Sequence, residues 1–253
     1  MSNVKLLSLN VEFYNRLRNP SHLSDFGDSL SSLNCDLICL QEDSSDEKDW
    51  IKGYSRIVYH HSRYCTNSIW CKNSKLKYVK EVGNFKLPSV GPSRFCVFVN
   101  FKDIIIANTH LTGGRYDDVN FKTNTLIKDQ QVYSIIKKTN PDIILGDFNG
   151  DVSVSQRTIT ALSNYYFYNN LNSKDKQTFI EFWSGGHSML KNMNYKNVFD
   201  DYDEIPTTSI FNSNPDHIYY KKNILVKDLE IIDTIKNNYT DHNGIIVEIV
   251  KPN

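Results

Sequence analysis

One stretch of the chain joins an apolar run to a group of polar residues, and it limits the possible folds more than any other feature. Residues 142–151 read DIILGDFNGD, and the apolar run begins just after Asn140-Pro141. This pattern is typical of a buried strand that carries polar groups at its carboxyl end. Asp147 and Asn149 are two residues apart, so on a continuing strand their side chains project to the same side. The same residues also suit a strand followed by a turn, with Asp, Asn and Gly as turn formers.

Two apolar runs near the N-terminus end in the same way. Residues 4–13 predict a strand with Asn10 near its end, and residues 36–40 predict a buried strand that closes on Gln41 and Glu42. The segment between them predicts an amphipathic helix, because its apolar residues are three, four and three positions apart. These residues are Leu23, Phe26, Leu30 and Leu33. A strand, a helix and a strand in this order form a βαβ-like unit and indicate the α/β class.

The rest of the chain is predicted to consist mainly of short strands. We predict them over residues 55–60, 67–71, 76–82, 95–101, 104–108, 217–220, 224–232 and 245–250, the fourth and fifth forming a hairpin. Helices are predicted over 121–138 and 158–167, the first with Leu126, Tyr133 and Ile136 on its apolar stripe. Residues 169–197 show little periodicity and are predicted to form a surface loop system.

Length, charge and cysteine usage narrow the class of protein. No repeat, linker or composition break occurs, so residues 1–253 are predicted to form a single domain. Lys plus Arg equals Asp plus Glu at 29 each, so a nucleic acid would need a local positive groove. The five cysteines have no C-x-x-C spacing, which predicts buried thiols in a reducing compartment. With no signal-peptide pattern and no run of transmembrane length, we expect a soluble protein of the cytoplasm or nucleus.

The polar residues at the strand ends form an ordered set along the chain. They are Asn10, Gln41-Glu42, Asn108-Thr109-His110, Gly146-Asp147-Phe148-Asn149, Asp216-His217 and Thr240-Asp241-His242. In this order and spacing they resemble the endonuclease/exonuclease/phosphatase superfamily, and the resemblance spans residues 4–249. It implies a four-layer α/β sandwich, in which two mixed sheets pack face to face with helices outside. It also implies a metal-dependent phosphoester hydrolase whose site lies at one end of the sheets.

Glu42 is the first candidate metal ligand. A carboxylate-rich set without Cys/His ligand spacing favours Mg²⁺, or Mn²⁺, over Zn²⁺. The alternative is a solvated helix cap within the acidic run of residues 42–47. The resemblance assigns Glu42 to metal binding, places Asp241 beside the metal through a water molecule, and places Asn10 where it lines both metal and phosphate.

The resemblance assigns the catalytic roles to five residues. Asp147 orients or deprotonates the attacking water, and Asn149 helps to hold the water and the phosphate. His242 lies against the scissile phosphate, and Asp216 fixes its tautomer and favours its charged form. His110 donates a hydrogen bond to a phosphate oxygen. Water attacks phosphorus in line without a covalent intermediate, because no Ser or Cys occupies a matching nucleophile position.

The substrate is less constrained than the reaction. Arg115 is a candidate phosphate clamp. Residues 165–197 interleave aromatic residues with lysines, which suits the stacking of single-stranded bases, contact with a lipid surface, or a packed aromatic loop. We expect a monomeric phosphodiesterase acting on nucleic acid, as a nuclease or in DNA end processing and repair such as 5′-tyrosyl-DNA cleavage. A lipid or inositol phosphate phosphodiesterase resembling sphingomyelinases, and a catalytically silent binding domain, remain open as alternatives.

Overall fold

A computed structural model of the chain describes most of its residues. The described ranges are 2–12, 20–43, 46, 48–60, 66–113, 120–152, 166–210 and 212–252. All structural statements below concern these residues. The predicted helix over 158–167 lies largely outside them, as does Arg115.

The described residues form two mixed sheets of six strands each. The first contains β1 (Ser2–Asn10), β2 (Leu37–Gln41), β3 (Tyr54–His60), β4 (Asn67–Lys72), β11 (Leu225–Ile232) and β12 (Gly244–Lys251), in the spatial order β11-β12-β1-β2-β4-β3. The second contains β5 (Val79–Lys86), β6 (Phe95–Phe101), β7 (Ile104–His110), β8 (Ile143–Asp147), β9 (Tyr195–Asn197) and β10 (Asp216–Lys221), in the order β5-β6-β7-β8-β10-β9. The pairs β1/β2 and β7/β8 are parallel, and the other pairs are antiparallel.

Helices cover the outer faces of the two sheets. They are α1 (Pro20–Ser32), α2 (Ile127–Thr139), α3 (Tyr166–Asn169), α4 (Ser173–Trp183) and α5 (His187–Asn192), with a 3-10 turn at Asn73–Tyr78. Apolar residues of α1 pack on the first sheet, and those of α2 and α5 pack on the second. The four-layer α/β sandwich predicted from the sequence is therefore confirmed. None of these helices is long and apolar enough to cross a membrane.

Strict alternation along the central strands explains why their sequences are apolar throughout. Leu6 points into the core between the sheets, and its neighbour Leu7 points outward against α1. On β8, Ile143 and Leu145 point inward, whereas Ile144 packs under α2. Strands that are buried on both faces read as continuous apolar runs. The first polar residue after each run therefore lies where its strand ends, at the same end of the two-sheet sandwich, and a site can form there.

The predicted βαβ-like unit and hairpin are confirmed. β1 and β2 are parallel neighbours, and α1 buries Leu23, Phe26 and Leu30. Strands β6 and β7 pair antiparallel across a tight turn. The described cysteines are buried free thiols, as predicted; they are Cys35, Cys39, Cys71 and Cys96.

The prediction for helix α2 is wrong in its start and in its buried face. The helix begins at Ile127, and Leu126 and Tyr133 are 62% and 52% exposed. Its buried face includes two polar residues, Lys128 and Gln131. Both side chains bind atoms of neighbouring loops, so the buried stripe is not the most apolar one. Hydrophobic periodicity alone cannot find such a face.

The prediction of a loop system over residues 169–197 is also wrong. This segment contains α4, α5 and β9. The Asn172 side chain caps α4 by accepting a hydrogen bond from the Asp175 amide at 2.9 Å. Four of the aromatic residues, Tyr168, Phe179, Phe182 and Trp183, pack in a buried cluster. Their burial prevents these four side chains from stacking on bases, which favours the packed aromatic alternative for them.

Candidate active site

The carboxyl ends of the two parallel strand pairs face each other across the sandwich. Asn10 ends β1 and Glu42 follows β2 in the first sheet, while His110 ends β7 and Asp147 ends β8 in the second. Because each pair is parallel, its polar ends lie at one edge. Asp216 begins β10 directly opposite Asp147 in the register. The structure thus brings the scattered sequence motifs together at one end of the molecule.

The Asn10 amide joins the two sheets. Its Nδ2 donates to Oε1 of Glu42 at 3.1 Å and to Oδ2 of Asp147 at 2.9 Å. The hydroxyl of Thr240 donates to the Asn10 carbonyl at 2.7 Å, which connects the segment before β12 to the same point. A single buried amide therefore holds both carboxylates in fixed positions.

A second polar contact between the sheets lies just behind this point. The Gln41 Nε2 donates to Oδ1 of Asn108 at 2.7 Å, and Asn108 Nδ2 donates to the carbonyls of Leu40 and Ser68, both at 2.9 Å. Gln41 and Asn108 are fully buried. Residue Gln41 of the Gln-Glu pair thus supports the sandwich, while its neighbour Glu42 faces the site.

Glu42 is held in an unfavourable environment for a carboxylate. Its backbone has a φ of 58°, in the left-handed region, which costs free energy for a residue with a side chain. Burial, and then the nearby Asp147, raise the pKa of Glu42 to about 7 despite the hydrogen bond from Asn10. The side chain keeps 30% of its surface exposed, so its desolvation is incomplete. Both features are typical of a residue placed for function.

Asp147 is the most central carboxylate of the group and is only 2% exposed. Burial acts to raise its pKa, but neighbouring imidazoles and the hydrogen bonds from Asn10 and the Asn149 amide hold the pKa below the ordinary value. The amide of Asn149 donates to Oδ1 at 2.6 Å. Of the two imidazoles, only that of His242 carries a charge, because the pKa of His110 is strongly depressed. His242 and the two hydrogen bonds therefore keep Asp147 ionised.

His242 and Asp216 form a buried ion pair. The Nδ1 of His242 donates to Oδ2 of Asp216 at 2.7 Å, and its Nε2 lies 3.7 Å from Oδ1 of Asp241. Burial alone would lower the pKa of His242, but Asp216 outweighs burial and raises that pKa well above its ordinary value. The structure thus presents a charged imidazole whose Nε2 is directed into the site.

His110 is neutral, in contrast to His242. Burial and the nearby Arg94 lower the pKa of His110 to about 3. Its Nε2 lies 3.5 Å from Oδ2 of Asp147, and its buried Nδ1 has no hydrogen-bond partner among the residues that the structure describes. A neutral imidazole has one N–H to donate, so His110 can hydrogen-bond a phosphate oxygen but cannot neutralise its charge.

The end of β8 and the loop after it have a backbone conformation that few residues can adopt. Gly146 has a φ of 132°, and a Cβ at this position would lie 1.9 Å from the Thr109 carbonyl oxygen. Asn149 has a φ of 52° in the left-handed region, which Asn tolerates better than most residues. Its Nδ2 donates to the Leu111 carbonyl at 3.0 Å. The glycine and the asparagine of the Gly-Asp-Phe-Asn motif are thus required by the chain geometry as well as by any chemistry.

The donor set of the site fits a hard divalent cation. Within the described part of the chain, Glu42 and Asp147 lie near the neutral imidazole of His110, and Asp216 forms an ion pair with His242. Ligand atoms of Asp147, Asp216 and His242 all lie within 4.8 Å of one another, and in the described part of the chain one buried oxygen of Asp216 has no hydrogen-bond partner. Converging carboxylates without a lysine or arginine partner are stabilised by a bound cation, and oxygen ligands suit Mg²⁺ or Mn²⁺. The predicted ligand Glu42 lies across Asn10 from this group.

Arg94 belongs to the site, although no sequence motif indicated it. The residue lies just before β6 and is 4% exposed, and its Nε and Nη1 have no hydrogen-bond partner among the described residues. It lies close enough to His110 and Lys128 to depress the pKa of both. A charged residue before a strand is ordinarily solvated, so the sequence contains no signal for its burial.

The fold and the site define a class of protein. The family model described as Endonuclease/Exonuclease/phosphatase family matches residues 7–242, and the chain belongs to this family. No curated protein matches the sequence.

Three solved structures show what the chain is similar to. The 3′ phosphatase NExo from Neisseria, bound to a product DNA hairpin, is 16% identical with a TM-score of 0.65, covering 98% of this chain and 99% of that chain. TDP2 of D. rerio, in complex with a single-strand DNA product, is 15% identical with a TM-score of 0.65, covering 99% and 100%. The inositol polyphosphate 5-phosphatase domain of spsynaptojanin, in complex with inositol (1,4)-bisphosphate and a calcium ion, is 17% identical with a TM-score of 0.54, covering 98% and 84%. At these identities the likeness establishes the fold.

Replacing Asp216 by Asn is predicted to lower turnover about 10²-fold and to move the alkaline limb of the pH–rate profile to lower pH. Without this carboxylate, only Asp147 and Asp241 oppose the effect of burial on His242. The pKa of His242 then falls, and the imidazole loses its proton nearer to neutral pH. The measurement is kcat across pH for both proteins. An alkaline limb at the same pH in both would contradict this role for the pair.

Proposed function

We propose that this chain hydrolyses a phosphoester by direct attack of water, with a phosphodiester of nucleic acid as its substrate. One observation carries the proposal: Asn10 donates hydrogen bonds to both Glu42 and Asp147, and a ligand atom of His242 lies within 4.8 Å of one of Asp147, so four segments of the chain meet at one place. A purely structural site has no need of a strained Glu42 and a buried imidazolium together.

We propose Mg²⁺, with Mn²⁺ as a substitute, as the cofactor. Glu42 would hold it directly, and Asp241 would do so through a water molecule. When bound, the ion polarises a phosphoryl oxygen and neutralises charge that develops there. A cation held there would also offset the burial and the repulsion from Asp147 that together raise the pKa of Glu42.

Asp147 acts on the attacking water in this proposal. Its ionised carboxylate accepts hydrogen bonds from Asn10 and from the Asn149 amide, which fix its orientation. The carboxylate can align a water molecule toward phosphorus and accept its proton as the bond to phosphorus forms. The fixed geometry matters more than basicity here, because the pKa of Asp147 is held below the ordinary value.

His242, His110 and Asn149 act on the phosphate. The imidazolium of His242 donates from Nε2 to an oxygen that gains charge, while Asp216 keeps its Nδ1 occupied. Neutral His110 donates a hydrogen bond without adding charge. No protein nucleophile is required, since the described cysteines are buried thiols.

Two of the similar structures contain product DNA, which supports a nucleic-acid substrate such as a DNA end or a 5′-tyrosyl adduct. The similar inositol polyphosphate 5-phosphatase keeps an inositol phosphate as the second candidate. A panel of single-stranded DNA, a 5′-tyrosyl phosphodiester analogue, sphingomyelin and an inositol phosphate, each with and without Mg²⁺, separates the two. Turnover confined to the lipid or inositol substrates would overturn the nucleic-acid assignment.

We further propose that Arg94 binds a phosphate oxygen of the substrate, in the role that the sequence suggested for Arg115. Arg94 is a buried cation without an ion-pair partner in the described chain, and an anionic ligand would satisfy its free Nε and Nη1. The Arg94→Gln variant is expected to raise KM about 10–100-fold, corresponding to loss of a hydrogen bond between charged groups.

The same substitution should not lower the free energy of unfolding, because it removes an unpaired buried charge. Steady-state kinetics and thermal unfolding measure the two effects. Arg56→Gln is the matched control, since Arg56 stacks on the Tyr59 ring at 4.3 Å on the edge strand β3. A loss of stability with an unchanged KM would contradict a role in binding phosphate.

A further inference from the structure

Lys128 of helix α2 has a fully buried ammonium group that the mechanism above does not use. Its Nζ donates to the Asn149 carbonyl at 2.8 Å and to the Trp183 carbonyl at 2.8 Å. The first acceptor belongs to the loop that follows Asp147, and the second belongs to the last residue of α4. Lys128 therefore joins the loop of the candidate active site to the outer helical layer.

A lysine at this position is costly for the folded protein. Burial lowers the pKa of Lys128 to about 7, although Asp147 and Asp151 act in the opposite direction. Within the described residues it forms no ion pair, and its ammonium lies 5.2 Å and 5.6 Å from the ring centres of Phe182 and Trp183. An apolar residue of similar length would fill the same space without this penalty. The presence of a buried amine donor here calls for a role other than stability.

The packing around the ammonium leaves little freedom of movement. A Cβ on Gly150 would lie 1.8 Å from the Trp183 carbonyl oxygen and 2.9 Å from Nζ of Lys128. The loop backbone, the end of α4 and the lysine are thus in direct contact. A shift of Nζ would move the Asn149 carbonyl, and with it the backbone N–H of Asn149 that donates to Asp147.

One helical turn further along α2, Gln131 holds the loop that follows His110. Its Oε1 accepts from the Thr112 amide at 3.0 Å, and its Nε2 donates to the Thr112 hydroxyl at 2.7 Å and to the Pro88 carbonyl at 2.8 Å. The two loops are also joined directly, since Asn149 Nδ2 donates to the Leu111 carbonyl. Lys128 and Gln131 therefore anchor two loops, the one after β8 and the one after β7, to the same helix.

We propose that Lys128 is a positioning residue for hydrolysis. It fixes the loop that follows Asp147, and with it the backbone N–H of Asn149 that donates to the Asp147 carboxylate. The inference rests on the proposed function, because positioning has a kinetic meaning only if Asp147 acts on water. A displacement of about 1 Å in a catalytic group can lower turnover about 10²-fold, so this anchor has a large expected effect.

The test compares Lys128→Met with Lys128→Arg and with Lys137→Met, an exposed lysine on the same helix. Lys128→Met is expected to lower kcat about 10²-fold with a much smaller change in KM, because the loop moves while His242 and Arg94, which also act on the phosphate, lie on other segments. Lys128→Arg, which keeps the donors, is expected to recover at least about tenfold of that loss. Lys137→Met should match the wild type in both constants.

Hydrogen exchange of the Asn149 amide, followed by mass spectrometry of the peptide containing residues 147–151, provides a readout without substrate. Exchange there should accelerate in Lys128→Met, while the peptides of β1 and β2 and the midpoint of thermal unfolding stay unchanged. If Lys128→Met does not fold, Lys128→Arg decides, with an expected smaller fall in kcat and a smaller acceleration of exchange confined to the same peptide. Unchanged exchange and unchanged kcat in the folded variant, or a uniform acceleration over all peptides, would overturn the positioning role. Absence of turnover in the wild type would instead refute the proposed function and leave the exchange result readable.

Discussion

The Asp147→Asn variant is expected to hydrolyse phosphoesters about 10³–10⁴-fold more slowly than the wild type, at the upper end of what loss of a catalytic proton acceptor costs. The amide keeps the shape of the side chain but cannot take a proton from water. Its oxygen can still accept the bond from the Asn149 amide, and its NH₂ group then faces the Asn10 amide, which is also a donor. We expect this conflict to cost about 1–3 kcal/mol of folding free energy, which leaves the variant folded.

The matched control for Asp147→Asn is Asp142→Asn, a substitution just before the opposite end of β8. Asp142 accepts from the Ile105 amide at 2.9 Å and pairs with Lys251 at 3.1 Å, away from the site. Its loss should affect stability and leave kcat unchanged. If single-turnover measurements showed equal rates for Asp147→Asn and the wild type, Asp147 would not be the group that activates water.

The second large effect is expected for Glu42→Gln. A carboxamide is a poorer ligand than a carboxylate for a hard cation, so affinity for Mg²⁺ or Mn²⁺ should fall by more than the roughly 10–100-fold that loss of a supporting residue costs. Turnover at limiting metal should fall in parallel and recover in part at high metal concentration. The stability of the metal-free protein should rise, because the neutral side chain no longer repels Asp147.

Calorimetric titration with Mn²⁺ measures the effect of Glu42→Gln directly. Asp36→Asn serves as the control, since Asp36 precedes β2 at its other end and contacts Lys75 and Lys102 at 3.5 and 3.8 Å. Equal metal affinity in the wild type and Glu42→Gln would contradict the assignment of Glu42 as a metal ligand and would favour the carboxylates of Asp147 and Asp216 instead.

The architecture was predictable from sequence where local pattern and tertiary environment agree. The central strands are buried on both faces, so runs such as residues 143–145 are apolar without interruption. Such runs can be recognised as strands from the sequence. Helix α1 was found because Leu23, Phe26 and Leu30 are the residues that it buries. Helix α2 was misjudged because its buried face includes Lys128, whose role depends on loops distant in sequence.

The same reasoning separates the site residues that were predicted from those that were missed. The predicted site residues lie at or next to the ends of apolar strands, as Asp147, Glu42 and His242 do. This position allows them to be recognised from the sequence. Arg94 and Lys128 stand in no such pattern. Their burial results from the packing of several elements that are distant in sequence, so the local sequence around a charged residue does not predict it.

The most direct test of a metal-dependent phosphoesterase is turnover by the wild type and by Asp147→Asn on one panel of substrates, with Mg²⁺ and with a chelator. The panel contains single-stranded DNA, a 5′-tyrosyl phosphodiester analogue, sphingomyelin and an inositol phosphate. We predict Mg²⁺-dependent hydrolysis of a nucleic-acid substrate by the wild type, abolished by the chelator and reduced about 10³-fold or more in Asp147→Asn. Equal background rates for both proteins on every substrate would contradict the assignment of this site to catalysis.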